Sequence, residues 1–436
     1  MKKISLLLSL VLLASLGKAQ NPISPPGIYI ADPSARVWKD GKLYIYGSAD
    51  ESVDYWCSHT HHALSTDDML NWTLHKDYYQ SKGPEDKVPY TDNVLYAPDA
   101  IYKDGKYYLY YCISHPTKPE GVAISDHPIK GFSKGQAIDL HGYEQIDPAA
   151  FVDDDGTAYY LWGQFTLKMA KLNDDMLSID PTTIKDSVLT ESRDYFHEGS
   201  YLTKRNGIYY MVYAHLDKAH RPTQIGYATS TSPMGPYKYG GVIIDNEHSD
   251  PEVWNNHGSM IEYKDQWYIF YHRSTHGTVR MRKACVEPIF FNEDGSIDEV
   301  EMTTQGAGPP LNPKNIIDAE RACTLHGKVR IVAEGKSNEI LTGIKPQDRA
   351  VYKYLQFSGT EKTLKIRAKG KGSGGKIHVT LDSPWNPPIS TVEVPAGSDW
   401  KVASAKIQST TGKHAVWLIF DAKEGNGLSV DWYQFE

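Results

Sequence analysis

Residues 147–156 read D-P-A-A-F-V-D-D-D-G, and residues 32–41 read D-P-S-A-R-V-W-K-D-G. Both open on an aspartate, close on an Asp-Gly turn and carry apolar residues between. Three more stretches share the frame: Y-A-P-D-A-I-Y-K-D-G, E-G-S-Y-L-T-K-R-N-G and H-G-S-M-I-E-Y-K-D-Q. The five copies end at Gly41, Gly105, Gly156, Gly207 and Gln266, at spacings of 64, 51, 51 and 59 residues. Each runs on into an alternating aromatic segment, K-L-Y-I-Y-G, K-Y-Y-L-Y-Y, T-A-Y-Y-L-W-G, I-Y-Y-M-V-Y-A and W-Y-I-F-Y-H. A period-two strand, a tight turn and a second period-two strand make a β-hairpin. A third strand follows in most copies, as in H-A-L-S-T-D-D-M and I-G-Y-A-T-S-T-S-P. Five such units in succession predict a five-bladed β-propeller.

The rest of the 436-residue chain agrees with an all-β protein. Tyrosine (30) and tryptophan (10) are abundant, and glycine (35) and proline (25) supply turns, a composition suited to half-buried sheets. The start, M-K-K-I-S-L-L-L-S-L-V-L-L-A-S-L-G-K-A-Q, has a basic end, an apolar run and small residues before Gln20, so residues 1–19 are expected to be a cleaved signal peptide and the protein to be exported. That run is short for a membrane span, and no later stretch is apolar enough, so no membrane insertion is expected. The formal charge of −8 becomes more negative once Lys2, Lys3 and Lys18 are removed, which argues against nucleic-acid partners. Cys57, Cys112, Cys285 and Cys323 are far apart in sequence, giving no zinc motif; export permits one disulfide, with the pair undetermined.

A propeller arranges equivalent positions of its blades around a central channel. Nine residues before each turn anchor stand Asp32, Tyr96, Asp147, Glu198 and His257. Three carboxylates in register, drawn into one concave site, repel one another and separate an acid from a base near neutral pH. That arrangement suits glycoside hydrolysis, in which one carboxylic acid protonates the departing oxygen and another carboxylate activates water or attacks the sugar. Opposed blades favour the wider gap, and therefore inversion.

At these residues the chain resembles glycoside hydrolase family 43, from about Ile28 to Gly308. The resemblance rests on A-D-P-S-A-R, I-D-P-A-A-F and H-E-G-S-Y, three motifs in order with family-like spacing. It implies a five-bladed propeller that cleaves arabinose and xylose linkages of plant polysaccharides with inversion. It assigns Asp32 as general base, Asp147 as the group that tunes and orients, and Glu198 as general acid. It places His257, in N-N-H-G-S-M, where relatives hold a central calcium ion, so a structural calcium in the channel is an open expectation; no cofactor is required for the chemistry. Candidate substrate-binding side chains are Tyr96, favoured by its register, with Trp56, Trp162, Trp254, His272, Arg280 and Arg282. Arg282, in M-R-K-A-C-V-E, looks like the family's final-blade arginine, and Arg280 shares its strand face.

After a Gly/Pro-rich exit, with 309–316 as linker and the propeller spanning 20–308, residues 317–436 have a different texture. Short alternating strands such as K-T-L-K-I-R-A-K and H-A-V-W-L-I-F-D predict a β-sandwich of the jelly-roll kind. The segments G-G-K-I-H-V-T-L-D, V-P-A-G-S-D-W and V-D-W-Y-Q-F resemble carbohydrate-binding module family 6. Two departures stand out: Ser429 occupies the place of that family's asparagine, and no aromatic follows closely behind Glu320. Trp385, Trp400 and Tyr354 are then the candidate sugar platform, against a purely structural partner for the propeller. The leading expectation is an exo-acting α-L-arabinofuranosidase on arabinoxylan or arabinan. The alternatives are a β-xylosidase and a non-catalytic carbohydrate-binding propeller; retention of all three acids argues against the last.

Overall fold

The computed structural model describes residues 20–250, 255–370, 372, 374–422 and 427–436. The proposed signal peptide and Trp254 lie outside the described residues. The described residues are 54% strand and 2% helix, and no described helix is long and apolar enough to cross a membrane.

Five antiparallel sheets follow one another along the first 290 or so residues. The first blade contains Ile30–Val37, Leu43–Ala49, Thr60–Thr66 and Thr73–Gln80, and the second Leu95–Lys103, Lys106–Ile113, Glu120–Ser125 and Gln136–Ala137. The third has three strands, Ala149–Val152, Ala158–Trp162 and Lys168–Lys171. The fourth has Phe196–Arg205, Ile208–Asp217, His220–Ser230 and Lys238–Asp245, and the fifth Ser259–Tyr263, Gln266–Thr275 and Thr278–Ile289. Alternation buries one set of side chains between neighbouring blades. Tyr110, Tyr160 and Trp162 pack between the second and third, and Tyr210, Tyr227 and Tyr271 between the fourth and fifth. This is where the surplus aromatics go. Trp162 is fully buried and its Nε1–H donates to the Tyr143 carbonyl at 2.8 Å, so it is core and not a sugar contact.

The turns explain how the repeat is built, and correct one count. Asp104–Gly105 and Asn206–Gly207 both sit at positive φ, the requirement of a two-residue I′ hairpin. In the fifth blade the pair is Lys264–Asp265, at φ +51° and +63°, and Gln266 already belongs to the next strand, opposite Tyr263. Counting nine back from the true turn residue there would reach Asn256. His257, not Asn256, lines the cavity with Asp32, Tyr96, Asp147 and Glu198, and it is reached only in the count from Gln266, one residue past the turn.

Closure of the ring uses a segment that the repeat does not announce. Residues 20–24 run beside the last strand of the fifth blade: the Ile23 N–H donates to the Ala284 carbonyl at 2.9 Å, and the Asn21 side chain exchanges hydrogen bonds with the Val286 backbone at 2.9 Å each. Near the axis, Asp99 ties three blades together. It accepts from Ser34 Oγ at 2.6 Å, the Ala150 N–H at 2.8 Å and the Arg36 guanidinium at 2.5 Å, and Arg36 also stacks over Tyr201 of the fourth blade at 4.5 Å.

The C-terminal unit is two packed sheets. One contains Arg330–Ala333, Glu339–Thr342, Leu428–Phe435, Thr363–Gly370 and Gly397–Lys406, with Ile317–Asp318 at its side. The other contains Thr324–His326, Arg349–Ser358, Thr411–Ala422, Gly375–Leu381 and Ser390–Val394. Their apolar faces form one core that includes Ile366, Val379, Leu418 and Phe435. Leu311 also packs in that core, so the chain is anchored to the sandwich within the segment 309–316. The sandwich is bolted to the propeller by buried polar contacts. Glu339 pairs with Lys283 and accepts from Tyr29 Oη at 2.7 Å, Asp250 pairs with Arg330 at 2.9 Å, and the His276 N–H donates to the Ile331 carbonyl at 2.7 Å. All four cysteines are buried free thiols, so the disulfide that export would permit is not formed.

Candidate active site

Every inner strand starts at the same end of the channel, and there the side chains of five blades converge. A cavity of about 290 Å³ is lined by Asp32, Tyr96, Asp147, Glu198 and His257, one from each blade, with Trp56, Cys57, Gln164, Asn255 and Arg282 among the remaining walls. Asp32 and Asp147 adopt left-handed backbone, φ +53° and +65°, directly before a proline. Such a conformation costs a non-glycine residue roughly 1–2 kcal/mol, and both residues that bear it line the cavity.

The three acids are set in different surroundings. Asp32 Oδ1 accepts from Arg282 Nη1 at 2.9 Å and Oδ2 from Ser48 Oγ at 2.7 Å. Burial alone would raise its pKa; Arg282, with His257, His272 and Ser48, outweighs burial and brings it down to about 2. Asp147 has no such cation. Its contacts are the Cys112 thiol, 3.8 Å from Oδ1, and His257 Nδ1, 3.9 Å from Oδ2. Burial, reinforced by the charges of Glu198, Asp32 and Glu120, raises its pKa well above the usual carboxylate range. Glu198 is gripped by two amides, Asn255 Nδ2 at 2.8 Å on Oε1 and Gln164 Nε2 at 2.7 Å on Oε2.

Arg282 is itself fixed. Its Nε and Nη2 reach the two oxygens of Asp50 at 2.9 Å each, Nη2 lies 3.3 Å from Cys57 Sγ, and Trp56 covers the guanidinium at 4.9 Å. This separates the two arginines that the sequence left together: Arg282 lines the cavity and holds Asp32, whereas Arg280 is not a wall of it and stands 5.5 Å from the Trp56 ring. His272 is a correction. It is fully buried, and its Nδ1 accepts the Asp32 N–H at 3.2 Å while Nε2 faces Asn255 Oδ1 at 3.2 Å. Those partners define a neutral ring with the proton on Nε2, and burial first, then Arg282, lowers its pKa to about 3. It supports the Asp32 backbone and is not among the walls of the cavity.

His257 stands between acids, Nδ1 being 3.8 Å from Asp32 Oδ1 and 3.9 Å from Asp147 Oδ2. Gly199 makes room for the ring: a Cβ there would lie 2.7 Å from it. The surroundings do not fit a directly bound calcium ion. Calcium takes six to eight oxygens, and these carboxylates are engaged by Arg282, Ser48 and Cys112. Among the described residues no group of three or more His, Cys, Asp or Glu side chains could hold a metal.

The residues that sequence reasoning missed are supports. Ser48 and Cys112 lie on the second strands of their blades, Asp50, Cys57 and Gln164 in the connections that follow second strands, and Asn255 just before the inner strand of the fifth blade. Asn255 links both sides of the site, since its Oδ1 faces Arg282 and His272 while its Nδ2 donates to Glu198. In the sandwich, the three proposed platform aromatics do not converge. Trp400 is covered by Arg367 and Lys369, at 5.0 and 4.3 Å, and its indole donates to Glu334. The Tyr354 hydroxyl donates to Glu301 at 2.6 Å, and Trp385 stands exposed near Arg349.

Comparison with known proteins agrees with this geometry. Residues 19–297 match the family described as Glycosyl hydrolases family 43, and residues 318–436 match Carbohydrate binding module (family 6). A xylosidase/arabinosidase of Thermoclostridium stercorarium is 29% identical over 92% of this chain and 95% of its own. An arabinoxylan arabinofuranohydrolase of Paenibacillus polymyxa is 28% identical over 93% of this chain and 72% of its own. Among solved structures, a Bacillus subtilis family 43 arabinoxylan arabinofuranohydrolase in complex with cellotetraose superposes with a TM-score of 0.57 at 25% identity, covering 96% of this chain and 99% of that one.

Proposed function

Because the chain belongs to glycoside hydrolase family 43 and is a glycosidase of the arabinofuranosidase/xylosidase type, we propose that it is an exported, inverting, exo-acting α-L-arabinofuranosidase that removes side chains from arabinoxylan or arabinan. The observation that carries the reading is the electrical inequality of the carboxylates: Asp32 is held ionised by Arg282, whereas Asp147, beside Glu198, is pushed toward its neutral form. An ionised carboxylate at Asp32 thereby shares one pocket with Glu198, the proposed proton donor, and with a neutral Asp147.

In this mechanism Asp32 takes a proton from a water as that water attacks the anomeric carbon, and Glu198 delivers a proton to the glycosidic oxygen as the bond breaks. Asp147 stands beside His257 in the same pocket as the orienting carboxyl group, and Asn255 and Gln164 donate to the carboxylate that Glu198 becomes. Exchange with solvent resets both groups. A cavity of about 290 Å³ lies at the lower edge of ordinary ligand pockets, about 300–1,000 Å³, which favours one terminal sugar over a threaded chain. The preference for arabinose follows from relatives that span both domains and carry arabinosidase or arabinofuranohydrolase names. The second reading, a β-xylosidase, rests on the xylosidase half of one of those names.

Hydrolysis of p-nitrophenyl α-L-arabinofuranoside and p-nitrophenyl β-D-xyloside, with Glu198→Gln beside the parent, tests the proposal. Preference for the arabinoside is expected. Preference for the xyloside selects the second reading, and arabinoxylan that releases no sugar with the parent protein overturns both.

A further inference from the structure

We infer that Phe165 is the platform for the departing sugar, an aglycone subsite on the Glu198 side of the pocket. The inference rests on the proposed role of Glu198 as acid, because whichever group protonates the glycosidic oxygen marks the side on which the leaving residue lies. Gln164 lines the cavity and donates to Glu198 Oε2 at 2.7 Å, and the next residue is Phe165.

Three features of Phe165 point to a ligand. The residue is 51% exposed, although it adjoins a pocket wall. Its backbone is left-handed, φ +64°, a conformation that disfavours a bulky residue and that folding alone would have assigned to glycine or asparagine. It is nonetheless held firmly: its N–H donates to the His197 carbonyl at 2.6 Å and its carbonyl accepts from the Glu191 N–H at 3.0 Å. The ring meets the His197 imidazole edge-on, centroids 5.3 Å apart at 77°, and His197 is in turn fixed by Glu191 at 2.9 Å. A half-exposed apolar ring is therefore anchored directly beside the pocket wall Gln164, where the axial C–H groups of a pyranose can stack. Tyr195 is also left-handed and partly exposed, but its ring is occupied by His215 and Tyr239, at 4.8 and 5.3 Å.

The occupant is the backbone pentose of a polymeric or oligomeric substrate, adjacent to the sugar being released. The test compares kcat/KM for an arabinoxylan oligosaccharide with kcat/KM for α-L-arabinofuranosyl fluoride, which has no aglycone to stack. In Phe165→Ala the ratio of oligosaccharide to fluoride should fall roughly five- to tenfold, the usual worth of an aromatic contact. Phe165→Trp should restore it and Phe165→Leu should not, because a leucine fills space without offering a flat face. An unchanged ratio, or rescue by leucine as complete as by tryptophan, overturns the subsite. Affinity gives a reading independent of turnover: in the Glu198→Gln background, calorimetric binding of the same oligosaccharide should weaken by a similar factor on adding Phe165→Ala, and unaltered binding overturns the inference. Failure of the acid assignment has a different signature, namely equal loss of fluoride and oligosaccharide hydrolysis in Glu198→Gln alone.

Discussion

Replacing Arg282 by glutamine isolates the electrostatics at the floor of the pocket. The guanidinium gives one hydrogen bond to Asp32 and two to Asp50, all at 2.9 Å, and all three side chains are buried. Burial raises the Asp32 pKa, and Arg282 is the largest opposing influence, the balance lying at about 2 against the ordinary 3.8. One unit corresponds to about 1.4 kcal/mol. Returning Asp32 merely to its ordinary value therefore forfeits about 2–3 kcal/mol of preference for the ionised form, and burial unopposed by the guanidinium carries it higher still. A protonated Asp32 cannot act as base, so the variant should lose kcat/KM as pH falls through a limb above 3.8, where the parent keeps its base ionised. The assay is kcat/KM on an aryl arabinofuranoside between about pH 3 and pH 8, with circular dichroism at each pH to show that the protein is folded. Arg282→Lys, which keeps the charge but not the fork, should place the limb between those of the parent and the glutamine variant. Stability follows the same sign. The depressed pKa of Asp32 stabilises the fold above pH 3.8 and that contribution disappears as pH falls through about 2; in the variant it is gone at neutral pH, and stranding Asp50 adds a penalty of about 3–5 kcal/mol. A folded Arg282→Gln protein whose acid limb coincides with the parent's refutes the reasoning.

Asp147→Asn should separate function from stability. The raised pKa of this buried acid means that its contribution is favourable at low pH and lost as pH rises, so the amide should raise Tm at pH 7, by an amount equivalent to about 1–2 kcal/mol, and lose that advantage in acid, while turnover drops about a hundredfold or more; a lower Tm at both pH values contradicts this. Glu198→Gln should be forgiven in part on p-nitrophenyl glycosides, whose leaving group needs little protonation, relative to arabinoxylan oligosaccharides, and equal loss on the two argues against an acid role. Glu339→Gln should leave Lys283 buried without its counter-charge, destabilising the interface by about 3 kcal/mol; calorimetry should then show a lower or split transition, and an unaltered endotherm would mean that the pair holds nothing.

Much of this protein is legible in its sequence because a propeller is a repeat. The hairpin signal depends on turn residues that tolerate positive φ and on period-two alternation, both local properties, and Asp32, Tyr96, Asp147 and Glu198 were reached by counting from those turns. His257 is reached through an anchor displaced by one residue: the fifth turn is Lys264–Asp265, and Gln266 already belongs to the next strand. Alternation shows that a side chain is inward or outward with respect to a sheet, but not whether inward means toward a pocket or toward the next blade. That is why Trp162 and His272 were grouped with the sugar contacts although both are buried. The supports of the acids were invisible for a different reason. Asp50 and Arg282 are 232 residues apart, and Asn255 and Glu198 57, distances over which no local pattern operates.

The sequence by itself determined the number of blades, the order of the three acids and the change of texture at the sandwich, since these follow from short-range alternation and turn chemistry. Tertiary structure decided which arginine holds Asp32, which acid is ionised, where the ring is latched by Asn21, and that the Trp400 face is already taken by cations. Each of these is a matter of which charges and hydrogen-bonding groups meet in a low-dielectric interior, and only ring closure brings residues from opposite ends of the chain near enough to shift one another's protons.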